Sequence, residues 1–303
     1  MKLIKDIKKT RFKDTILTLG NFDGLHLGHI KILKLVNKRA KDFKAKSVVY
    51  TFDPHPLKVV APEKSPPLML TVKDKARLVE SFGIDYLVVA SFTRKFASKD
   101  PREFVKEVLV NGLKVREVIV GHDYAFGKGK RGTISFLRKL GAEFGFKVTV
   151  IDAYKLGGKI VSSSRVRAEV KGGRLQSAAK LLGRDFLIRG KVVKGTETGK
   201  TIGFPTANLK PETELIPKEG VYAVRAEVDG KSIKGVANIG TAPTFGGKES
   251  AIEVHLLNFS GDIYKKTISV AFIRRLRGER SFKSKEALIR QIKRDIERAK
   301  ALL

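Results

Sequence analysis

The first half of the chain alternates short aliphatic runs with segments of helical periodicity, and this alternation limits the folds that it can adopt. Each run has the length of one strand and is apolar on successive residues, which is typical of strands buried on both faces. The predicted strands are Thr15–Gly20, Ser47–Phe52, Asp85–Ala90, Glu117–Gly121 and Lys147–Ile151. The predicted helices are one with an apolar stripe of Ile30, Leu33, Val36 and Ala40, then Lys73–Phe82, Arg102–Leu109 and Ile134–Phe144. Strands that alternate with helices at this spacing predict a parallel α/β sheet with right-handed crossovers.

The second half changes to strands that are separated by turns. The predicted strands are Leu187–Lys194, Val221–Val228, Ser232–Ile239, Ala251–Asn258 and Thr267–Ile273. Asp229–Gly230 separates two of them and is a strong signal for a two-residue hairpin. Short strands at this spacing predict an antiparallel barrel or sandwich, and a C-terminal helix follows over Lys285–Ala301. We therefore expect two domains, 1–182 and 183–303, with a boundary near Leu182–Gly183.

The chain is strongly basic, with 62 Lys and Arg against 31 Asp and Glu and a formal net charge of +31. Every predicted helix carries Lys or Arg, which favours solvated helix faces; the alternative is a surface that attracts polyanions such as nucleic acid. The absence of cysteine excludes disulfides, zinc–thiolate sites and thiol nucleophiles. The N-terminal segment is charged throughout, and no apolar run approaches the roughly 20 residues of a membrane-spanning helix. We therefore expect a cytoplasmic protein without a membrane partner.

The segment Gly20–His29, which reads Gly-Asn-Phe-Asp-Gly-Leu-His-Leu-Gly-His, follows the first predicted strand and opens the first predicted helix. The exposed N–H groups and the dipole at a helix N-terminus favour phosphate. His26 and His29 lie three residues apart, so both can project toward that phosphate, and Gly28 leaves room between them. Two imidazoles there can stabilise charge that develops on an α-phosphate under attack. The alternative is a pair of histidines that only cap the helix.

Three further segments of the first half are candidates for the same site. Tyr50–Pro56 ends the second strand and holds His55 between two prolines, Gly121–Gly127 follows the fourth strand, and Val161–Arg167 opens a later helix. Ligands of open α/β sheets bind at the carboxyl ends of strands, where the first two segments lie. The serines of the third can cap a helix or, with Arg167, hold the β- and γ-phosphates of ATP. Taken alone, the three segments have alternative explanations as an ordinary strand exit, a surface loop and a helix cap, respectively.

The sequence from Gly127 to Gly132 matches G-x-G-x-x-G, but we do not interpret it as a dinucleotide fingerprint. It begins six residues after its strand, and three of its residues are cationic. A mobile basic loop over a phosphorylated substrate fits the pattern better, and a plain surface loop is the alternative.

The second half has its own candidate site in Gly195–Asn208, whose glycines and small polar residues can wrap a polyphosphate in backbone N–H groups. In an extended segment the side chains of Thr206 and Asn208 face the same way. A hydroxyl and an amide oxygen suit Mg²⁺ that is already carried by nucleotide phosphates. Alternation in Ala251–Asn258 points Glu253 away from the core, where a carboxylate can accept the proton of an attacking hydroxyl. The alternatives are a barrel loop of turn residues and a solvated glutamate.

Together these segments resemble the bacterial bifunctional riboflavin kinase/FMN adenylyltransferase family, also called FAD synthetase, over nearly the whole chain. Further marks of the kinase module are Gly190–Gly195, Gly203–Asn208, Gly220–Ala223, Asn238–Gly240, Pro243–Gly246 and Glu253–Leu257. The resemblance implies an α/β Rossmann-like nucleotidyltransferase domain followed by an antiparallel six-stranded Greek-key β-barrel with a C-terminal helix. It also implies that the second domain phosphorylates riboflavin with ATP to FMN, and that the first joins FMN to AMP from a second ATP, giving FAD and pyrophosphate.

The resemblance further implies roles for individual residues. In the adenylyltransferase domain His26 and His29 would be catalytic, and ATP would contact Gly20, Asn21, Phe22, Asp23, Gly24, His26, Gly28, His29, Ser163, Ser164 and Arg167. Flavin would contact Asp53, Pro54, His55, Pro56, Asp123 and Phe126. In the kinase domain Glu253 would be the base, ATP would contact Gly195, Gly199, Lys200, Gly203, Phe204, Thr206 and Asn208, and flavin would contact Arg277 and Glu279. Thr206 and Asn208 would hold the Mg²⁺ that accompanies ATP.

Four positions depart from the family's usual pattern. Lys200 stands where arginine is usual, which exchanges a bidentate phosphate contact for a point charge. Ile202 replaces a common leucine, Lys265 a common glycine and Ser164 a common threonine. These departures bear on rates and on nucleotide affinity, and they leave the reaction class unchanged.

Two other classes of protein are alternatives. The His26–His29 motif also resembles those of pantetheine-phosphate and nicotinamide-mononucleotide adenylyltransferases and of class I aminoacyl-tRNA synthetases, none of which accounts for the second half. A synthetase would also carry a lysine-rich second motif where this chain has Ser162–Ser164. The charge alone would suit a nucleic-acid-binding protein, but the strand aromatics of an RNA-binding sheet are missing. We therefore expect ATP, riboflavin and FMN as partners, and no specific nucleic acid.

Overall fold

A computed structural model describes residues 1–195, 198–244 and 247–303. Packing divides the chain into two compact units, one formed by Met1–Pro66 with Leu70–Ser163 and the other by Pro67–Met69 with Ser164–Leu303. Each unit has its own sheet, so the change of pattern along the sequence corresponds to a change of architecture.

The first unit is built on a six-stranded sheet of parallel strands in the order β1-β4-β3-β2-β5-β6. The strands are β1 (Lys2–Ile4), β2 (Thr15–Leu19), β3 (Lys46–Asp53), β4 (Tyr86–Ser91), β5 (Val115–Gly121) and β6 (Lys147–Ile151), and a small antiparallel hairpin follows as β7 (Lys155–Leu156) and β8 (Lys159–Ile160). The five predicted strands are confirmed. The edge strand β1 was not predicted, because three residues are too few to show a period.

Helices connect the strands of this sheet. They are α1 (Leu27–Asp42), α2 (Pro56–Val60), α3 (Val72–Glu80), α4 (Arg94–Ala97), α5 (Pro101–Phe104) and α6 (Ile134–Phe144), with 3-10 turns at Ile7–Lys9, Pro62–Lys64 and Lys128–Lys130. Helix α5 continues as a π-helical segment, Val105–Gly112, where the sequence predicts an ordinary helix. The fully buried residues of α1 are Ile32, Leu33, Val36 and Ala40, and Ile30 of the predicted stripe is partly buried.

Successive strand residues enter two separate cores. Leu17, Val48 and Val118 pack on one face of the sheet with Phe104 and Leu137. Their neighbours Ile16, Val49 and Ile119 pack on the other face, against Leu33 and Val36 of α1. Coverage of both faces explains why the strand sequences are apolar on consecutive positions.

The second unit contains a closed antiparallel barrel in the order β10-β13-β12-β11-β14-β9. Its strands are β9 (Phe186–Val193), β10 (Ala207–Pro211), β11 (Gly220–Val228), β12 (Lys231–Thr244), β13 (Gly247–Leu256) and β14 (Thr267–Arg277); its helices are α7 (Ser163–Lys171), α8 (Leu175–Leu182), α9 (Thr198–Thr201) and α10 (Lys285–Leu302). Strand β14 lies beside β11, and β11, β12 and β13 follow as neighbours, which is the Greek-key order. The predicted barrel and C-terminal helix are confirmed.

Local signals account for much of this barrel. Asp229 and Gly230 have φ angles of 50° and 77°, as a type I′ hairpin turn between β11 and β12 requires. Buried residues alternate with more exposed ones along β9 and in the second half of β11, and Tyr222 packs edge-on against Phe272 at 5.4 Å in the core. Helix α10 covers one outer face, where Ala299 joins a buried cluster with β11 and β14.

Candidate functional site

The segment Gly20–His29 lies at the point of the first sheet where the strand order reverses. It leaves the carboxyl end of β2, which has β3 on one side and β5 on the other. The connections after β2 build the sheet toward β1, and the chain then returns to build it toward β6. Open α/β sheets bind their ligands in the crevice at this reversal. The position of the segment alone therefore makes it the leading candidate for a ligand site.

The turn between β2 and α1 is held in an unusual backbone conformation by buried side chains. Phe22 and Leu25 have φ angles of 47° and 43°, in the left-handed region that residues other than glycine rarely occupy. Both side chains are buried in the core beneath α1. The Gly20 N–H donates to the Tyr50 carbonyl at 3.1 Å, which fixes the start of the turn to β3. A turn that is anchored in this way keeps its backbone donors in place without a ligand.

The two histidines of the turn form a stacked pair. The His26 and His29 rings lie 3.7 Å apart between centroids at an angle of 16°, and the Phe22 ring meets His29 edge-on at 5.1 Å. The His26 Nδ1 accepts a hydrogen bond from the His29 N–H at 3.4 Å, so His26 also caps α1. A Cβ atom on Gly28 would lie 3.1 Å from His26 Cε1, which shows how closely the imidazole crosses this position. The geometry therefore agrees with both interpretations of the sequence: His26 caps the helix, and its ring also forms a pair with that of His29.

Among the remaining residues that were predicted to contact ATP, Asp23 and Ser163 belong to the first unit. Ser163 donates its hydroxyl to the Asp23 carbonyl at 2.8 Å, and the buried Asp23 carboxylate accepts from the Leu70 N–H at 3.2 Å. Ser164 and Arg167 lie in α7 and belong to the second unit, where Arg167 Nε donates to the Pro67 carbonyl at 3.0 Å. Their contact with ATP stays a prediction.

Lys75 of α3 is a further polar residue at this site, and no motif in the sequence indicates it. Its side chain is 7% exposed, and its Nζ donates to the Asn21 carbonyl at 2.7 Å and to Thr51 Oγ1 at 3.1 Å. Burial lowers the pKa of Lys75 to about 8, and the charges of Asp23 and Asp53 partly oppose that shift. The chain has 62 Lys and Arg residues, so nothing local distinguishes this lysine from those on solvated helix faces.

The predicted flavin contacts of the first unit lie in different environments. His55 caps α2, with its Nδ1 accepting from the Leu57 N–H at 3.2 Å and Pro56 as the first helical residue. Asp53, Pro54 and Asp123 are exposed at the carboxyl ends of their strands. Phe126 is instead only 8% exposed and packs at 5.9 Å from Phe104 in the core. Packing explains the burial of Phe126, and its contact with flavin stays a prediction.

The basic loop after Phe126 is closed by a short antiparallel bridge. Phe126 and Gly132 exchange backbone hydrogen bonds of 3.0 and 2.9 Å, and a Cβ atom on Gly132 would lie only 2.7 Å from the Phe126 ring. The side chains of Lys128, Lys130 and Arg131 between them are exposed. The loop therefore presents its cations to solvent.

The second candidate site is built around Thr206 and Asn208, at the start of β10. A Cβ atom on Gly199 would lie 3.1 Å from Thr206 Oγ1, and one on Gly195 would clash with the Asn208 amide. Gly199 also accepts a hydrogen bond from the Phe204 N–H at 2.8 Å, which closes the loop. Backbone therefore lies directly against both polar side chains, because the two glycines leave the space open.

Glu253 lies in a polar cross-strand row on the outer face of the barrel. It pairs with Asn208 of β10 on one side and with Asn238 of β12 on the other. Directly opposed residues of antiparallel strands project from the same face, so the carboxylate is flanked by two amides. Its neighbours Ile252 and Val254 are buried, and partial burial raises the pKa of the Glu253 carboxyl. The predicted orientation of Glu253, away from the core, is confirmed. Asn238 was part of the family mark Asn238–Gly240, but no role was predicted for it.

A cavity of about 800 Å³ opens beside this row. Its lining includes Gly195, Thr206 and Asn208, Lys194 of the family mark Gly190–Gly195, and a segment that no sequence motif indicated, Phe259–Tyr264. Its volume lies in the range of sites for nucleotide-sized ligands. Glu253 is not among the lining residues, although its strand neighbour Val254 is.

The other predicted kinase residues belong to different segments of the second unit. Gly203 and Phe204 belong to the loop before β10, and Lys200 lies in α9 with its side chain outside the described part of the structure. The family mark Pro243–Gly246 includes positions 245 and 246, which are outside the described residues. Arg277 pairs with the buried Asp295 of α10 at 2.8 Å, and Glu279 lies against Gly240. Arg277 therefore forms a structural ion pair. The flavin contacts of Arg277 and Glu279 stay predictions.

Comparison with known proteins gives a family to each half of the chain. The FAD synthetase family model matches residues 8–165, which include the stacked histidines, and the riboflavin kinase model matches residues 182–303, which include Thr206, Asn208 and Glu253. A solved structure described as a macrolide-efflux protein from Streptococcus pneumoniae shares the fold, with a TM-score of 0.89, 31% identity, and coverage of 99% of this chain and 98% of that one. None of the helices in the described part of the chain combines the length and apolar character of a membrane span.

Curated relatives match over the full length. The bifunctional riboflavin kinase/FMN adenylyltransferase of Escherichia coli K12 is 38% identical over 97% of this chain and 96% of that protein. The enzymes of the same name from Pseudomonas fluorescens and Bacillus subtilis are 37% and 36% identical, over 100% and 97% of this chain and 98% and 93% of their own lengths. Both halves of the chain match this family, and relatives match over nearly the full length, so the chain belongs to the bifunctional riboflavin kinase/FMN adenylyltransferase family.

Proposed function

We propose that the two sites carry out the two successive reactions of the family, with residues 1–182 and 183–303 as the catalytic domains. The barrel site phosphorylates riboflavin with ATP to FMN, and the histidine site joins FMN to AMP from a second ATP, giving FAD and pyrophosphate. The observation that carries the proposal is the stacked His26–His29 pair at the helix N-terminus, within the residues that match FAD synthetase.

Adenylyl transfer at the first site depends on positioning and on charge stabilisation. An oxygen of the FMN phosphate attacks the α-phosphorus of ATP, and the bond to the bridging oxygen breaks as pyrophosphate leaves. His26 and His29 donate hydrogen bonds to phosphate oxygens that gain charge, and the N-terminus of α1 adds its dipole. Asp53–Pro56 and Asp123 orient the flavin at the neighbouring strand ends. Ser163, which is tied to Asp23, orders the turn beside the triphosphate.

Phosphoryl transfer at the second site needs a base and a clamp for the nucleotide. Glu253 accepts the proton of the ribityl hydroxyl, whose oxygen attacks the γ-phosphorus while ADP leaves. Partial burial raises the pKa of Glu253, which makes its carboxylate a stronger base. Thr206 and Asn208 suit a Mg²⁺ ion that ATP brings, because a hydroxyl and an amide oxygen are hard ligands and both residues line the cavity. When bound with ATP, the ion would neutralise phosphate charge during transfer.

Two substitutions separate the activities. We expect His26→Ala to lower FAD formation from FMN and ATP by about 10²–10³-fold, because a donor to the developing charge is lost. We expect Glu253→Ala to lower FMN formation from riboflavin by about 10²–10⁴-fold, because proton acceptance is lost. Chromatographic quantification of FMN and FAD with each substrate measures both.

Each variant serves as the other's control. His26→Ala should form FMN at the wild-type rate, and Glu253→Ala should adenylylate supplied FMN at the wild-type rate. A folded variant that loses both activities would contradict two independent sites. An undiminished rate of FAD formation in His26→Ala would contradict the assignment of the first site.

A further inference from the structure

The amine of Lys75, in α3, lies beneath the turn that joins β2 to α1. This turn, Gly20–His26, is called the phosphate-facing turn because the proposed ATP site lies on it. Its Nζ contacts the Asn21 carbonyl at 2.7 Å and Thr51 Oγ1 at 3.1 Å, and the Thr51 hydroxyl donates to the same carbonyl at 3.2 Å. The three groups form a closed triangle that joins α3, the end of β3 and the turn after β2. The side chain is almost completely buried, so water does not compete for these contacts.

The triangle holds the carbonyl of Asn21 directed into the protein. A peptide unit has its N–H opposite its C=O, so a carbonyl that is fixed inward leaves the N–H of Phe22 directed away from Lys75. The left-handed conformations of Phe22 and Leu25 need such external support, because non-glycine residues do not favour them. Lys75 thus supports the backbone of a turn that lies at the site of the proposed adenylyl transfer.

Lys75 also brings a positive charge to the base of this site. Asp23 of the turn and Asp53 of β3 are the charged groups that act on it. Burial of the cation lowers the pKa of Lys75 to about 8, so the ammonium loses its proton just above neutral pH. A loss of charge from the triangle weakens the hydrogen bonds that it donates, because charge-assisted hydrogen bonds are about twice as strong as neutral ones.

We propose that Lys75 is a positioning residue for adenylyl transfer, which fixes the Asn21 carbonyl and thereby the phosphate-facing turn. The inference rests on the proposed function of the first site. Lys75 acts through the turn, and nothing in its geometry gives it a contact with the reacting atoms.

The test is the substitution Lys75→Met, which keeps the length of the side chain and removes its donors and its charge. We expect kcat/KM for ATP in FAD formation to fall about 10–100-fold, since misplacement of catalytic groups by about 1 Å costs this much. The KM for riboflavin in FMN formation should stay unchanged, because that reaction takes place at the barrel site. The matched control is Lys73→Met, which removes an exposed lysine of the same helix and should have no effect.

The pH profile separates positioning from a general loss of stability. In the wild type, kcat/KM for FAD formation should fall as pH rises through about 8, where Lys75 loses its proton. This fall should be absent in Lys75→Met and retained in Lys73→Met, with FMN formation as the internal reference at every pH. A Lys75→Met enzyme with wild-type kcat/KM, or with an unchanged pH profile, would overturn the proposal.

Two arrangements keep the test decisive. If Lys75→Met does not fold, Thr51→Val removes one corner of the triangle without changing charge, and an unchanged kcat/KM for ATP in that variant overturns the proposal. His26→Ala is measured in parallel. If it loses FAD formation while Lys75→Met does not, only the role of Lys75 fails; if neither loses it, the assignment of the first site fails.

Discussion

At the scale of single residues, the stacked histidines depend on a missing side chain. A Cβ atom on Gly28 would lie 3.1 Å from Cε1 and 3.2 Å from Nδ1 of His26, closer than ordinary van der Waals contact. The backbone of Gly28 is helical, so its conformation does not require glycine. Glycine is required there because the His26 imidazole passes close to the Cβ position. A substitution at Gly28 should therefore affect activity separately from stability.

We expect Gly28→Ala to displace the His26 ring and to lower the kcat of FAD formation about tenfold, because catalytic groups tolerate little displacement. The melting temperature should stay the same or rise, since alanine has a higher helix propensity than glycine. Steady-state kinetics and thermal unfolding measure the two effects. Full FAD synthesis in Gly28→Ala would show that His26 does not need its observed position.

Functional residues can be predicted from the sequence when they lie close together in one local pattern. His26, His29 and Gly28 occupy one helical turn, and Glu253 lies in an alternating strand, so local pattern is sufficient to select them. Lys75 and Asn238 are brought to their sites by chain segments that are distant in sequence. No local pattern selects these residues, because their partners are set by the fold.

At the scale of elements, the sequence predicted the strands with strong patterns and missed those without. β10 contains Asn208 and ends at Pro211, residues that are depleted in strands, and barrel closure stabilises it despite its composition. The π-helical segment Val105–Gly112 was predicted as an ordinary helix, since its buried residues Val105, Val108 and Leu109 have helical spacing. The type of an element was therefore predictable where its apolar residues have a clear period. It was not predictable where contacts with other segments determine the structure.

The ion pair between β14 and α10 makes the C-terminal helix part of the barrel. Arg277 and Asp295 are 11% and 2% exposed, and Gln291 donates to the same carboxylate at 3.0 Å. We expect Asp295→Ala to destabilise the barrel by about 3–5 kcal/mol, because it leaves a buried guanidinium without its carboxylate. Denaturant unfolding, followed by a signal from the barrel, measures this loss.

The exposed pair Lys300–Glu297 on the same helix is the matched control. Glu297→Ala should cost less than about 1 kcal/mol, because solvent screens that pair. Replacement of both Arg277 and Asp295 by apolar residues should recover most of the stability. A loss in Asp295→Ala no larger than in Glu297→Ala would contradict a structural role for the buried pair.

At the scale of the whole molecule, the net charge of +31 acts on the anionic substrates and not on the neutral one. ATP and FMN carry negative charge, whereas riboflavin carries none. We expect the KM values for ATP and FMN to rise several-fold between about 0.02 and 0.5 M salt, because the screening length contracts over this range. The KM for riboflavin should change less than about twofold.

Initial-rate kinetics at constant free Mg²⁺ concentration measure these three constants. Equal salt dependence for riboflavin and FMN would show that the basic surface does not steer substrates. The same experiment separates a field effect from a single contact, since a field acts on every anion that approaches the protein.

Closure of the barrel has a consequence for the fidelity of the kinase site. β13 is bonded to β10 and β12 at once, so the position of Glu253 along the strand is fixed by two ladders. A slip of one residue would turn the carboxylate inward and bring Ile252 or Val254 to the surface. Such a misaligned barrel would break both ladders and expose apolar side chains together. Correct folding of this strand and correct placement of its acid group are therefore a single event.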